Sequence, residues 1–309
     1  DTSLSGNGVT SILQDRAGGL WVGVFDGGLN YSSAGDALSF QRFQHDAEVA
    51  GSISGDRVLR IFEDQAGSIW IGTEGDGLNQ FNVETKQFTH YDLETTANEN
   101  GQPRGTPWEI YETPDQTLWL GTLGRGLYRW KAEDRQAGVV QFEQFASAQG
   151  LVSEIYGIVV GSTGELWLSS NRGLFEFNPA TLEIRKFDRN NGLLSNEFNQ
   201  GARLRSRSGR ILFGSNMGLV GFFPGDLPEN KRPPDISVEA NSRTETLART
   251  WTGNPPPTVQ LNYFDAFIAF DFVALDFVSP DKNEYRYRLN GLDSEWTEVQ
   301  NFRRAIYSS

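Results

Sequence analysis

The stretch GSIWIGTEGDGLNQF, Gly67–Phe81, admits two incompatible readings, and the choice between them decides the fold. Its TEGDGL centre is either a glycine-rich loop that cradles a phosphate or the tight turn of a β-hairpin. A phosphate loop occurs once and opens a helix. This phrase instead returns as GGLWVGVFDGGLNY at Gly18–Tyr31, TLWLGTLGRGLYRW at Thr117–Trp130 and GELWLSSNRGLFEF at Gly164–Phe177, with a worn fifth copy, GRILFGSNMGLVGF, at Gly209–Phe222. The tryptophans fall at Trp21, Trp70, Trp119 and Trp167, at intervals of 49, 49 and 48, and Leu212 takes the fifth place 45 further on. A Gly-Leu pair closes every copy, at Gly28, Gly77, Gly126, Gly173 and Gly218. Recurrence at a fixed period marks a supersecondary unit, and no helical periodicity follows the glycines. The hairpin reading stands.

Within one copy, VLRIFEDQAGSIWIG gives two strand-like runs around Asp64-Gln65-Ala66-Gly67. Asp first and Gly fourth is a type I turn signature. The next run ends at Glu74-Gly75-Asp76-Gly77, where glycine tolerates the positive φ of a hairpin loop. Leu78 to Phe81 and Gln87 to Tyr91 supply a third and a fourth strand, so each repeat is expected to be a four-stranded antiparallel meander. Such a unit cannot bury both faces alone and stacks radially as a propeller blade. The recurring indole is expected to fill the gap between blades, a burial worth roughly 2 to 3 kcal/mol. Strand order places short, similar Asp-x-x-Gly turns on the bottom face. The Gly-Leu hairpins and the long connections (44–57, 92–107, 146–153 and 188–200) share the top face, where binding residues tend to gather.

Composition narrows the function. The 309 residues are 38% hydrophobic and 12% aromatic, which suits short strands. A formal net charge of −13 repels nucleic acid and anionic lipid, so neither is an expected partner. With no cysteine there is no disulfide framework and no thiolate site. The most apolar run, FIAFDFVALDF at Phe267–Phe277, is short and interrupted by Asp271 and Asp276, so no insertion into a membrane is expected of this segment. The chain starts at Asp1 without a leader and reads as an excised or processed segment of something longer.

Prolines at 224, 228, 233 and 234 mark a linker, dividing blades (residues 1–232) from a second β-pattern (residues 233–309). Ile236 to Ala240, Phe267 to Phe277 and Tyr285 to Leu289 run as strands, and RYRLNGLDSEW turns through Asn290-Gly291. The expectation is a partial immunoglobulin-like β-sandwich, ending at Tyr307-Ser308-Ser309 where a further strand should begin.

DQAGSIWIGTEGDGLNQFNVETKQFTHY resembles the two-component regulator propeller repeat. SPDKNEYRYRLNGLDSEW, followed by Arg304-Ala305-Ile306-Tyr307, resembles the three-tyrosine (Y_Y_Y) module that follows the propeller in that family; Tyr285, Tyr287 and Tyr307 match its tyrosines. NGLLSNEFNQGARLRSRSGRILFGSNMGLVGFFP is similar to the last blade before that module. The resemblance implies an all-β extracytoplasmic, periplasmic sensor region of a bacterial membrane receptor. It further implies a seven-bladed propeller, a small sandwich, a membrane crossing and an output such as a hybrid histidine kinase or a diguanylate cyclase, with a homodimer through the C-terminal module. Only five blades are visible here. On the family architecture two would precede them, while a closed five-bladed disc remains sterically open.

Catalytic groups are sparse. His45 and His90 are the only histidines, and neither metal spacing nor a nucleophile elbow occurs, so no catalytic residue, metal or cofactor is expected. The candidate binding residues are charged groups in the top loops, Asp26, Arg57, Glu74, Asp76, Arg104, Arg125, Glu154, Arg172 and Glu197, with Trp108 and Tyr156 as stacking aromatics. Mixed charges near a channel mouth suit a small polar ligand such as a carbohydrate, or a protein partner. The leading reading is a ligand sensor. The alternatives are a scaffold that holds proteins together without sensing and, behind it, a propeller lyase or glycosidase using a pair of top-face acids.

Overall fold

A computed structural model describes residues 2–35, 39–93, 105–146, 150–227, 235–242, 246–251, 267–275, 285–299 and 303–308. The chain forms two compact units, Asp1–Leu227 and Pro228–Ser309.

The first unit is a run of antiparallel sheets, one per sequence repeat. Blade 1 contains β1 (Val9–Gln14), β2 (Leu20–Val24), β3 (Gly28–Ser32) and β4 (Gln41–Phe43); blade 2 contains β5 (Val58–Glu63), β6 (Ile69–Thr73), β7 (Gly77–Asn82) and β8 (Gln87–Tyr91). In blade 3, β9 (Thr106–Glu112), β10 (Leu118–Leu123) and β11 (Leu127–Trp130) are followed by a short helix, α1 (Ala132–Gln136), and then β12 (Glu143–Phe145). Blade 4 contains β13 (Gly157–Val160), β14 (Leu166–Ser170), β15 (Gly173–Phe177) and β16 (Ile184–Phe187); blade 5 contains β17 (Phe198–Arg205), β18 (Ile211–Ser215) and β19 (Gly218–Phe222). First strands of successive blades neighbour one another, β1 with β5, β5 with β9, β9 with β13 and β13 with β17, which is the inner ring of a propeller. The architecture is therefore a β-propeller followed by a β-sandwich, as the repeats predict.

Three details correct the expectation. Blade 5 has three described strands rather than four. Helix α1 interrupts blade 3, where the apolar spacing shows no helix; its five residues are all polar or small and none is buried, so it leaves no amphipathic signal. The bottom turns are not alike: blade 3 uses Thr113–Thr117, with Gln116 at φ 65° where its neighbours place glycine.

The wedges behave as the period demands. Each interblade cluster takes a tryptophan and the leucine of the Gly-Leu pair from one blade and packs them on the next: Trp21 and Leu29 on Ile61 and Ile71, Trp70 and Leu78 on Ile110 and Leu120, Trp119 and Leu127 on Ile158 and Leu168, Trp167 and Leu174 on Phe198 and Phe213. All four indoles are only 1–2% exposed. The Gly-Leu glycines combine positive φ with a close approach of the outer strand. A Cβ on Gly28, Gly126 or Gly173 would be driven into the carbonyl oxygen of Phe43, Phe145 or Phe187, whereas Gly218, with no outer strand beside it among the described residues, meets nothing there.

At the two ends of the run the same positions lie open. Ile12 is 66% exposed where Ile61, Ile110 and Ile158 are 0–2%, and Leu219 is 66% exposed where Leu29, Leu78, Leu127 and Leu174 are 0–1%. Leu4 and Phe40 cover only part of the blade 1 face, over Val22 and Val24.

In the second unit, β20 (Ile236–Ser242), β21 (Thr246–Trp251), β22 (Phe267–Ala274) and β25 (Arg304–Ser308) form one antiparallel sheet, ordered β21-β20-β22-β25. β23 (Tyr285–Tyr287) and β24 (Thr297–Val299) form a hairpin. The three matching tyrosines join the two layers: Tyr285 and Tyr287 pack on Phe272, and Tyr307 packs on Phe270 and Tyr287. Arg304–Ser308, which contains the third of these tyrosines, is a strand paired along β22.

Candidate functional site

On the top face the turns between second and third strands meet the connections between blades. Backbone bonds fasten them: Gly28 N–H donates to Asp56 O, Glu74 to Arg57 O, Gly126 to Ser153 O and Gly173 to Asn196 O. Buried Asn30 and Asn79 hold the incoming segments by accepting from Ser5 N–H and Ser54 N–H, each at 3.0 Å. Loops tied this way present side chains in fixed places.

Two groups of predicted residues come together. In the first, Arg57 Nε donates to Asp26 Oδ1 at 2.7 Å, its Nη1 reaches Glu74 Oε2 at 3.4 Å, and its guanidinium stands 5.2 Å above the Phe25 ring. Asp26 is held at φ 59° in the tight turn. The bond to Asp26 raises the Arg57 pKa further, so this group stays cationic. Asp76 lies nearby against Gly55, whose missing Cβ makes room for its carboxylate. Partial desolvation pushes the Asp76 carboxyl above its usual range, opposed by His45 and Arg57.

The second group straddles blades 3 and 4. The rings of Trp108, on β9, and Tyr156, just before β13, lie 5.1 Å apart at 47°, both half-buried. Desolvation and then the charges of Glu197 and Glu154 push the Tyr156 hydroxyl up, so both acids look onto this phenol. Arg125 lies in the blade 3 hairpin, and Arg172 is an exposed turn residue fixed through its N–H to Ser170 Oγ. Arg104 lies outside the described residues.

Sequence reasoning missed the axis. Glu109, on the inner strand β9 and 0% exposed, accepts from Arg203 of blade 5 at both carboxylate oxygens, with Nε at 2.7 Å, and faces Arg60 Nε of blade 2 at 3.1 Å. One buried carboxylate thus ties three blades together. A charge in a strand reads from sequence as solvent-facing; only the inner-strand position reveals a closed centre.

Sequence reasoning also passed over the bottom face, where an open cleft of about 930 Å³ runs between blades 3 and 4. Tyr111, Trp119, Arg129, Lys131 and Arg205 are among its lining residues. No group of three or more potential metal ligands occurs among the described residues. No helix among them is long and apolar enough to cross a membrane.

The fold is that of a β-propeller with anchored top loops followed by a β-sandwich whose layers are joined by tyrosines. Family comparison gives the particular kind: the two component regulator propeller matches residues 3–26 and 52–75, and the Y_Y_Y domain matches residues 276–309. The chain carries two-component regulator propeller repeats and a Y_Y_Y domain. The first matched segments contain Asp26, Arg57 and Glu74. A histidine kinase, Histidine kinase P4 of Formosa agariphila, is 28% identical over 160 residues, which cover 48% of this chain and 12% of that protein. Among solved structures, the extracellular domain of the putative hybrid two component system BT3049 from B. thetaiotaomicron aligns with TM-score 0.64 and 20% identity, over 98% of this chain and 46% of that one. The corresponding domain of BT4673 aligns with TM-score 0.60 and 19% identity, over 98% and 53%. The chain spans about an eighth of the curated relative and about half of each solved domain.

Proposed function

We propose that this chain belongs to the extracytoplasmic, periplasmic ligand-sensing region of a bacterial membrane receptor, and that it binds rather than catalyses. The observation that carries the reading is the top-face pairing of Trp108 with Tyr156 beside Glu154 and Glu197, set at the inner strands of a propeller that precedes a Y_Y_Y domain. Adjacent aromatic faces with acids at their rim suit a small polar ligand such as a carbohydrate, stacked on the rings and hydrogen-bonded at its hydroxyls. The naming of one relative as a histidine kinase, and of the structural neighbours as extracellular domains of hybrid two component systems, supports a kinase output. In this reading the sandwich relays binding to that output within a homodimer, and the ligand acts by binding one arrangement of the receptor more tightly than the other.

The test uses the full receptor in vesicles. A panel of oligosaccharides, amino acids and organic acids is screened for autophosphorylation, and the effective compound is then titrated calorimetrically into this chain. The reading expects one class to change phosphorylation and bind, with Trp108→Ala weakening both. Phosphorylation indifferent to every compound, with the chain instead retaining a protein partner, establishes the scaffold reading.

A further inference from the structure

The bottom-face cleft carries an observation about hydrogen bonding that the top face does not. A buried indole brings an N–H donor that must find an acceptor. In blades 1 and 2 the first residue of the bottom turn provides it: Trp21 Nε1 donates to Asp15 Oδ2 and Trp70 Nε1 to Asp64 Oδ2, both at 2.8 Å. Blade 4 has Gly161 at that place, and Glu165 reaches into the vacated space to accept from Trp167 Nε1 at 3.2 Å. Three indoles therefore donate to three carboxylates.

Trp119 occupies the same register, opposite Tyr111 as Trp70 is opposite Phe62, and is 1% exposed. Its turn begins with Thr113. Thr113 Oγ1 donates to Asp115 Oδ1 and Thr117 O, and Asp115 is also engaged by Thr117, so neither side chain serves the indole. No described residue accepts from Trp119 Nε1. The buried polar atoms left without a partner do not include it: Trp119 Nε1 is open to the cleft it borders, where an acceptor can reach it.

The surroundings favour an anion in the vacant place. Arg129 lies 5.6 Å above the Trp119 ring, Lys131 stands at the end of the strand that carries Arg129, and Arg205 enters from blade 5 without an ion pair among the described residues. Against them stand Asp115, committed to its own turn, Glu133, 3.8 Å from Lys131, and Glu143, whose Oε2 accepts from Arg129 Nε at 3.0 Å and from its Nη2. Arg129 and Lys131 are thus each matched by one carboxylate, and Arg205 is the cation of the three left over beside a free donor, in a chain of net charge −13. The equivalent groove between blades 2 and 3 is closed, because Arg135 of α1 lies 5.9 Å above Trp70 and bonds to Glu112. Residues at the other side of α1 line the open cleft.

We infer that the cleft between blades 3 and 4 binds a carboxylate-bearing small molecule, whose carboxylate takes the place of the turn acid and accepts from Trp119 Nε1 beside Arg129, Lys131 and Arg205. The inference deepens the ligand-binding reading and rests on it for its biological role, though not for the binding itself.

The test is an indole N–H spectrum of the ¹⁵N-labelled chain, with Trp119 assigned through Trp119→Phe, during titration with glucuronate and with glucose as the neutral twin. The inference expects glucuronate to move the Trp119 resonance at concentrations up to about 20 mM, a range that covers millimolar dissociation constants, and glucose to leave it in place. Thr113→Asp restores the turn acid and should fold at least as stably. It should weaken glucuronate at least about tenfold while shifting the Trp119 resonance without ligand. Thr113→Ser, which restores no carboxylate, should bind as the parent does. A silent Trp119 resonance, equal response to glucose, or undiminished binding by Thr113→Asp overturns it. Because the readout is binding to this chain alone, these outcomes are independent of receptor phosphorylation, the readout of the sensor reading.

Discussion

At the scale of single residues, the fold is held by side chains that do two things at once. The indoles of Trp21, Trp70 and Trp167 fill the space between blades, and each N–H also ties the ring to its own bottom turn through a carboxylate. Glu165 shows the energetic cost and its compensation: burial pushes its carboxyl up, yet the bonds from Thr163, Trp167 and the backbone outweigh burial and hold it below the usual range. Replacing Trp70 by Ala is expected to cost about 3–5 kcal/mol in urea denaturation, as large aromatic truncations in cores do. Asp64→Ala should cost about 1–3 kcal/mol, since it strips the acceptor from both the Ser68 N–H and the buried Trp70 N–H. The tryptophan wedges were legible in the sequence because their spacing repeats. Glu109 was not, since its partners Arg60 and Arg203 lie 49 and 94 residues away and no local pattern joins them. The top-face clusters were half legible: composition names Asp26, Arg57, Trp108 and Tyr156, but only coordinates show which of them meet.

At the scale of elements, a strand's worth depends on what lies beside it. Gly126→Ala must meet both a φ of 80° and the Phe145 carbonyl, whereas Gly218→Ala meets only its φ of 121° with open space around it. The expected order in thermal denaturation is a larger loss for Gly126→Ala, with the Gly218 variant limited to the backbone cost of about 1–2 kcal/mol. In the sandwich, β25 is joined to the loop after β23 by Tyr307, whose hydroxyl donates to Asp293 Oδ2 at 2.6 Å. Burial, then that bond and the Asp293 charge, push the Tyr307 hydroxyl up to about 12 from its ordinary 10.0. The unfolded phenol therefore ionises first. Stability from this group is complete below pH 10 and falls as pH climbs toward 12. Ultraviolet titration should show a tyrosine ionising near 12 that Asp293→Asn brings down. The sandwich was legible through its tyrosines and the Asn290-Gly291 turn, but strand β25 was not, because five residues at a chain's end carry too little pattern to call.

At the scale of the whole molecule, the repeat leaves two apolar faces uncovered, with Ile12 on one and Leu219 on the other. A position's cost then depends on its blade rather than its residue type. Ile61→Ser should destabilise by several kcal/mol, in the range of large core losses, while Ile12→Ser should stay within about 0.5 kcal/mol and reduce self-association in sedimentation runs. Repeat arrays whose units touch only their neighbours can fray from either end, one unit at a time. The Glu109 carboxylate breaks that independence, because Arg203 reaches it from two blades away. Blade 5 cannot peel off without leaving a buried anion short of its strongest cation, a loss of about 3–5 kcal/mol. The interior of this array should therefore melt as a single cooperative block, stitched shut along its axis by one acid and two bases.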